Sequence, residues 1–379
     1  MPKFFKPHHM RFHVFLGLFL LSSSAFAQLD SIFDQGEHRT FLVHLPQGHS
    51  SNQQYPIVLN LHGLGSNARQ QQSLTQFNSV ADSFGFLVVY PNGTPIAKGS
   101  NSWSTVGNTD ADFLSHLVDS IRAVYPTNNC LFVMGMSQGG FMTYKFANTT
   151  KHSVAGIAVG SGNMSKALQR VSTSAPRIPV LHFHGTADSV VPFAGTPPLI
   201  PPVDSTIQWW IKHNQCSTKP IFSSLPNTSL TDSSKVERYE YRGGTNASNV
   251  TFYKVLNGGH TWSGSTSIPI FGHSNQDIHQ SNIIGNFFNA ICSKTSDLQN
   301  LCIANSLHLF PNPSNNQLNV EMMLPGEYRL RISDLLGKIL IDIPMGNKAQ
   351  IDMTNFKRGI YRVRVDSDTY HMSKKIVLQ

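Results

Sequence analysis

The sequence predicts an α/β fold, a mostly parallel sheet with helices on both faces, followed by a small C-terminal β-sandwich. Three observations predict it. Short apolar runs recur along the first three quarters of the chain, as buried parallel strands do. One of them, Cys130-Leu131-Phe132-Val133-Met134, runs into Gly135-Met136-Ser137-Gln138-Gly139 and then into helix-compatible residues from Gly140 to Asn148. Beyond Cys292 the pattern changes to short alternating segments: Leu318 to Met322, Tyr328 to Ile332, Ile339 to Ile343 and Tyr361 to Val365. That is the pattern of a small sandwich.

The chain opens on Lys3, Lys6 and Arg11, then the apolar stretch Val14 to Leu21, then Ser24-Ala25-Phe26-Ala27. This order reads as a secretory signal peptide over residues 1–27, cleaved before Gln28. Its apolar stretch is too short for a membrane span, which needs about 20 residues, and no other segment is long enough. We expect a catalytic domain over 28–292, a polar linker over 293–306 and the sandwich over 307–379.

Within the catalytic domain the chemistry follows the strands. Strand, G-x-S-x-G and helix together form a nucleophile elbow, the signature of an α/β-hydrolase. The turn strains the serine backbone, so its neighbours must be glycines for strand and helix to pack closely. Ser137 is therefore the expected nucleophile. A nucleophilic serine needs a base and an orienting acid, which in this fold follow it in the order acid, then histidine. The apolar run Pro179 to Phe183 leads into His184-Gly185-Thr186-Ala187-Asp188, which offers Asp188. An acid just past a strand end lies at the carboxyl edge of a parallel sheet, where such sites sit. The alternating run Val250 to Val255 leads into Asn257-Gly258-Gly259-His260-Thr261-Trp262, which offers His260 on a glycine-rich loop. A tetrahedral intermediate also needs backbone donors. The expected pair is the N–H of Gln138 and that of Leu64, in the loop His62-Gly63-Leu64-Gly65 after the strand Pro56 to Leu61. His62 itself is expected to bond the loop.

These segments resemble the secreted esterases grouped with feruloyl esterases, family-one carbohydrate esterases and polyhydroxybutyrate depolymerase-like proteins. The matching pieces are LHGLGSN at 61–67, FLVVYPNGT at 86–94, Trp103, DADF at 110–113, GMSQGG at 135–140, HGTADSVVPFAG at 184–195 and GGHTWSG at 258–264. They cover roughly residues 36 to 292. The resemblance implies a triad of Ser137, Asp188 and His260, and makes His62, Trp103 and Trp262 candidate substrate contacts. The sequence departs from the family where Ser263 replaces a usual proline. It departs again near Gly244, where a common cysteine is absent and Cys216 loses its expected partner, and at Gln138 in the elbow. Further on, LFPNPSNNQLNVE at 309–321, DLLGKIL at 334–340 and FKRGIYRVRV at 356–365 resemble the C-terminal sorting domain of the type IX secretion system. The implied partners are the Sec and type IX machineries, and the implied location is extracellular or at the cell surface, reached through the periplasm. A substrate-binding module is the other reading of this tail.

Charge narrows the partners. The net charge is +8, but the signal contributes three basic residues and the segment 309–379 ten basic against seven acidic, leaving +2 for residues 28–308. A nearly balanced domain argues against nucleic acid. The 17 histidines show no H-E-x-x-H or paired-cysteine spacing, and His182 and His184 alternate on one strand as core residues do. Acyl transfer through a serine needs neither metal nor cofactor. Four cysteines in an exported chain favour disulfides, with three connectivities open. Cys292 and Cys302 could staple the linker, and Cys130 could simply be buried. The expected substrate is a polymeric ester, first a feruloyl or acetyl ester of a polysaccharide. A polyhydroxyalkanoate or other polyester comes second, and a peptide bond third. A non-enzymatic adhesin would require a broken triad.

Overall fold

The computed structural model describes residues 29–265, 271–323, 326–335, 337–367 and 371–379. The expected signal peptide lies outside them. The first strands are β1 (Asp30–Asp34), β2 (Glu37–His44), β3 (Tyr55–Leu61) and β4 (Leu87–Pro91), then the hairpin β5 (Thr94–Ala97) and β6 (Ser100–Ser102). They are followed by β7 (Thr127–Met136), β8 (Gly156–Gly160), β9 (Val180–Gly185), β10 (Ile221–Ser224), β11 (Lys235–Tyr241) and β12 (Val250–Leu256). The helices are α1 (Ala68–Thr75), α2 (Phe77–Phe84), α3 (Thr109–Val124), α4 (Gln138–Thr149), α5 (Lys166–Val171), α6 (Val203–Asn214) and α7 (Gln280–Ser306).

All of these strands except the hairpin join one sheet in the order β1-β2-β4-β3-β7-β8-β9-β12-β11-β10. The central strands from β4 to β12 run parallel, and antiparallel strands close both edges. β7 shows why the sheet carries helices on both faces. Its side chains alternate: Leu131 and Val133 pack with Leu114, Met142 and Trp210, while Phe132 and Met134 pack with Phe77, Ile284 and Phe288. Phe132 stacks on Phe288 at 4.4 Å between ring centroids. Apolar residues on both sides of a strand force this three-layer arrangement. The parallel direction brings the ends of β3, β7, β9 and β12 to one edge, so their following loops meet there.

Two expectations are corrected. The segment 293–306, read as a linker, is helical, because α7 continues unbroken to Ser306. No proline or glycine interrupts the chain between Asn286 and Ser306, and apolar residues at 284, 288, 291, 298 and 301 keep a helical spacing. Cys130 is not simply buried, and Cys292 does not pair with Cys302. A disulfide joins Cys130 to Cys292 across 162 residues, tying the start of β7 to α7. Cys216 is a buried free thiol whose Sγ lies 3.4 Å from the Ser248 carbonyl oxygen.

The tail forms β13 (Leu307–Phe310), β14 (Gln317–Met322), β15 (Tyr328–Ser333), β16 (Ile339–Met345), β17 (Lys348–Asp352), β18 (Gly359–Asp366) and β19 (His371–Leu378). They make two antiparallel sheets, β13-β14-β17 and β16-β15-β18-β19. Alternate residues such as Leu318, Val320, Leu330, Ile332, Val363 and Ile376 fill one shared core. The sandwich read from the alternation is therefore present.

Candidate active site

The elbow is a steric construction. Ser137, between β7 and α4, has φ 56° and ψ −124°, a backbone region that costs a non-glycine residue on the order of 1–3 kcal/mol. The surrounding contacts enforce it. A Cβ added to Gly135 would stand 2.4 Å from the Gly139 carbonyl oxygen, and one added to Gly139 would stand 2.2 Å from that of Leu61. One added to Gly140 would meet Val159 at 2.8 Å. The glycines let α4 turn back against β3 and β8, which lifts Ser137 above the sheet edge.

Asp188 and His260 meet at that same edge. Asp188 follows β9 and His260 follows β12, the parallel neighbour of β9. His260 Nδ1 is 2.8 Å from Asp188 Oδ2. Asp188 Oδ1 accepts from the N–H groups of Val190 and Val191 at 2.9 and 2.8 Å. Burial works to raise the Asp188 pKa. The hydrogen bond and charge of His260, together with His184 and the Val191 N–H, outweigh it and hold the carboxyl below its ordinary value. An ionised carboxylate thus holds Nδ1 of His260, which leaves Nε2 to face a nucleophile.

The loop after β3, expected to supply an oxyanion donor, lies beside the serine. A Cβ placed on Gly63 would come 3.3 Å from Ser137 Cβ and 3.8 Å from its Oγ, so this loop passes directly beside the serine. Leu64, the next residue, is exposed. Among the described residues neither the Leu64 N–H nor the Gln138 N–H donates to a loop or side-chain acceptor. Gln138 heads α4, where the first backbone N–H groups have no intrahelical partner.

The three residues suggested as substrate contacts are buried, and His62 bonds its loop as expected. His62 bonds the Gly63 carbonyl oxygen through Nδ1 at 2.7 Å and accepts the Gly93 N–H at Nε2 at 3.0 Å. Its pKa is lowered to about 4, chiefly by burial, against the raising effect of the Gly63 carbonyl. Trp103 donates its indole N–H to the His62 carbonyl oxygen at 2.9 Å. Trp262 donates to Ser281 Oγ at 3.0 Å, and its ring lies where a Cβ on Gly160 would collide at 2.8 Å. All three frame the edge of the site.

Sequence reasoning missed the partners of these residues. The Gln138 side chain accepts the Trp103 N–H at 2.9 Å and bonds Ser102 Oγ, tying the loop after β6 to the elbow. Buried Asp110 pairs with Arg39 at 2.7 Å and accepts the Ser104 N–H at 2.6 Å, which fixes the other end of that loop. DADF was legible as a motif, but nothing in the sequence pairs Asp110 with a residue 71 positions away. Among the described residues no cluster of side chains could hold a metal ion, and no helix is long and apolar enough to cross a membrane.

The fold and this edge define an α/β-hydrolase followed by a β-sandwich tail. Residues 34–217 match the putative esterase family, and residues 308–379 match the secretion system C-terminal sorting domain. The tail marks a protein secreted or carried at the cell surface. A bifunctional acetylxylan esterase/xylanase of Neocallimastix patriciarum is 32% identical over 160 residues, 42% of this chain and 22% of that protein. Feruloyl esterase B of Thermothelomyces thermophilus is 30% identical over 162 residues, 39% of this chain and 54% of that one. The matched residues of this chain span from about a fifth to just over half the length of these relatives. Among solved structures, an acetyl xylan esterase from Aspergillus awamori aligns over 60% of this chain and 92% of its own, at 16% identity and a TM-score of 0.45.

Proposed function

We propose that this protein is a secreted serine carboxylic-ester hydrolase that works through an acyl-enzyme on feruloyl or acetyl esters of polysaccharides. One observation carries the reading: a strained serine at an elbow shares a sheet edge with a histidine held at 2.8 Å by a buried carboxylate. Ser137 Oγ attacks the ester carbonyl while His260 Nε2 takes its proton. Asp188 keeps the imidazole oriented and stabilises the imidazolium. The N–H groups of Leu64 and Gln138 receive the oxyanion, a contribution worth about 10²–10³ in rate per donor. The intermediate collapses, His260 protonates the leaving alcohol, and water releases the acid by the same steps in reverse. Ester-linked substrates are supported by the esterase-family segment, and acetylated or feruloylated xylan by the names of the relatives. The sorting tail supports passage through the type IX machinery.

A second reading, a polyester depolymerase, is favoured by the loops at the carboxyl edge. Leu64, Ile96, Val106, Val190 and Leu199, in the segments that follow β3, β4 and β9, are all exposed, apolar side chains suited to an apolar polymer surface. The purified full chain tested on methyl ferulate, aryl acetates, acetylated xylan and a polyhydroxybutyrate suspension separates the two. The polysaccharide reading predicts turnover of the first three. Release of acid from the suspension alone selects the polyester.

A further inference from the structure

The strand that delivers Asp188 also carries two buried histidines. His182 and His184 lie on β9, fully buried, their rings parallel at 5.6 Å between centroids. His184 Nε2 is 2.8 Å from the Val191 carbonyl oxygen and 3.5 Å from Asp188 Oδ2. A carbonyl only accepts, so the bond to Val191 requires the proton on Nε2; the Gly162 backbone also acts on the ring, but Nδ1 makes no hydrogen bond. Val191 is the link. Its N–H holds Asp188 Oδ1 at 2.8 Å while its carbonyl is held by His184. The four-residue turn from Asp188 to Val191 is thus gripped at both ends of one peptide residue. Behind His184, His182 Nδ1 is 2.7 Å from the Tyr144 hydroxyl, and Tyr144 lies on α4, the helix that begins at the elbow. Burial lowers the pKa of both histidines, for His184 against the raising effect of Asp188 and the Val191 carbonyl.

Taking Asp188 as the acid that serves His260, we propose that His184 is a positioning residue for the reaction: it pins Val191 so that the Asp188 carboxylate stays aimed at His260 Nδ1. A residue that only filled space would be indifferent to its tautomer and replaceable by any side chain of similar volume. A positioning residue is not, because a misplacement of about 1 Å costs on the order of 10²-fold in rate. His184→Met keeps bulk and loses the donor, whereas His184→Gln keeps an N–H donor at similar reach.

The test uses the full-length protein with a soluble aryl acetate. His184→Met is expected to lower kcat by on the order of 10- to 100-fold with KM little changed, and His184→Gln to restore most of kcat. Nitrogen-15 NMR of the wild-type histidines is expected to show His184 protonated at Nε2 and bare at Nδ1. A folded His184→Met variant with wild-type kcat overturns the proposal. So does a wild-type His184 protonated at Nδ1, a result that decides the matter even if the Met variant does not fold. A fluorophosphonate that labels Ser137 in the wild type keeps these outcomes separate from failure of the triad itself: an unlabelled, dispensable Ser137 removes the serine mechanism, whereas a labelled Ser137 beside an unaffected His184→Met removes only the role of His184.

Discussion

Gly63 passes so close to Ser137 that a single added methyl would stand 3.8 Å from the serine hydroxyl oxygen, whereas one added to Gly139 would overlap the Leu61 carbonyl at 2.2 Å. The two glycines therefore predict different failures. Gly63→Ala crowds the space where a carbonyl must approach, so kcat/KM should fall at least tenfold with melting temperature nearly unchanged. Gly139→Ala forces β3 and α4 apart and should lower the melting temperature by several degrees or prevent folding. Calorimetry and esterase assays on both variants check the contrast. Equal effects on stability would remove the distinction.

Acid should destabilise the fold in a defined window. His62 is neutral and buried, its pKa lowered from 6.5 to about 4 by burial. The unfolded chain binds a proton there that the folded chain refuses. Stability is therefore full above pH 6.5 and is lost as pH falls toward about 4, by about 3 kcal/mol from this group. His182 and His184 act in the same direction. Urea midpoints measured from pH 7.5 to 4.5 should fall steeply in the wild type and less steeply in His62→Gln.

The loop between β6 and α3 should depend on the Arg39–Asp110 pair. Arg39 and Asp110 are both buried, and the Arg39 guanidinium lies 3.9 Å from the Phe113 ring centroid. Asp110→Ala leaves that cation buried without its partner, at a cost of about 3–5 kcal/mol. It also releases the Ser104 N–H next to Trp103. Thermal melts should show the loss. Replacing both residues with apolar ones should recover part of the stability without restoring full activity.

A chain ending at Asn305 should keep its esterase activity when purified, since each proposed site residue lies before α7 and the tail has its own core. In a host with type IX secretion it should be retained in the periplasm. Normal release of the truncated chain would contradict the delivery role. Loss confined to insoluble substrates would assign the tail to binding instead.

The legible parts of this protein were those set by local rules. The elbow could be read because Gly135 and Gly139 answer a steric demand within a few residues of Ser137, and the tail because alternation marks each half-buried strand. Asp188 and His260 could be placed because each follows an apolar run in the order the fold requires. What escaped depends on distant pieces of chain meeting. The Cys130–Cys292 disulfide spans 162 residues, and its pairing is decided by α7 lying against β7. The polar residues after Cys292 looked like a linker by composition, but with no breaker the helix simply continues. His62 was legible as a residue that bonds its own loop, and it does so, whereas Trp103 and Trp262 stood as candidate substrate contacts beside motifs shared with the esterases. Only the packed structure shows that their hydrogen bonds are spent inside.

The most direct test of the serine mechanism is to trap its intermediate. The full-length protein, mixed briefly with an aryl acetate and quenched in acid, should carry one acetyl group on the peptide containing Ser137, as intact-mass and peptide mass spectrometry would read it. Ser137→Ala should carry none and should lose on the order of 10⁴–10⁶ in kcat, as should His260→Ala. An acetyl group on another residue, or a Ser137→Ala protein that retains a tenth of its activity, would contradict the account.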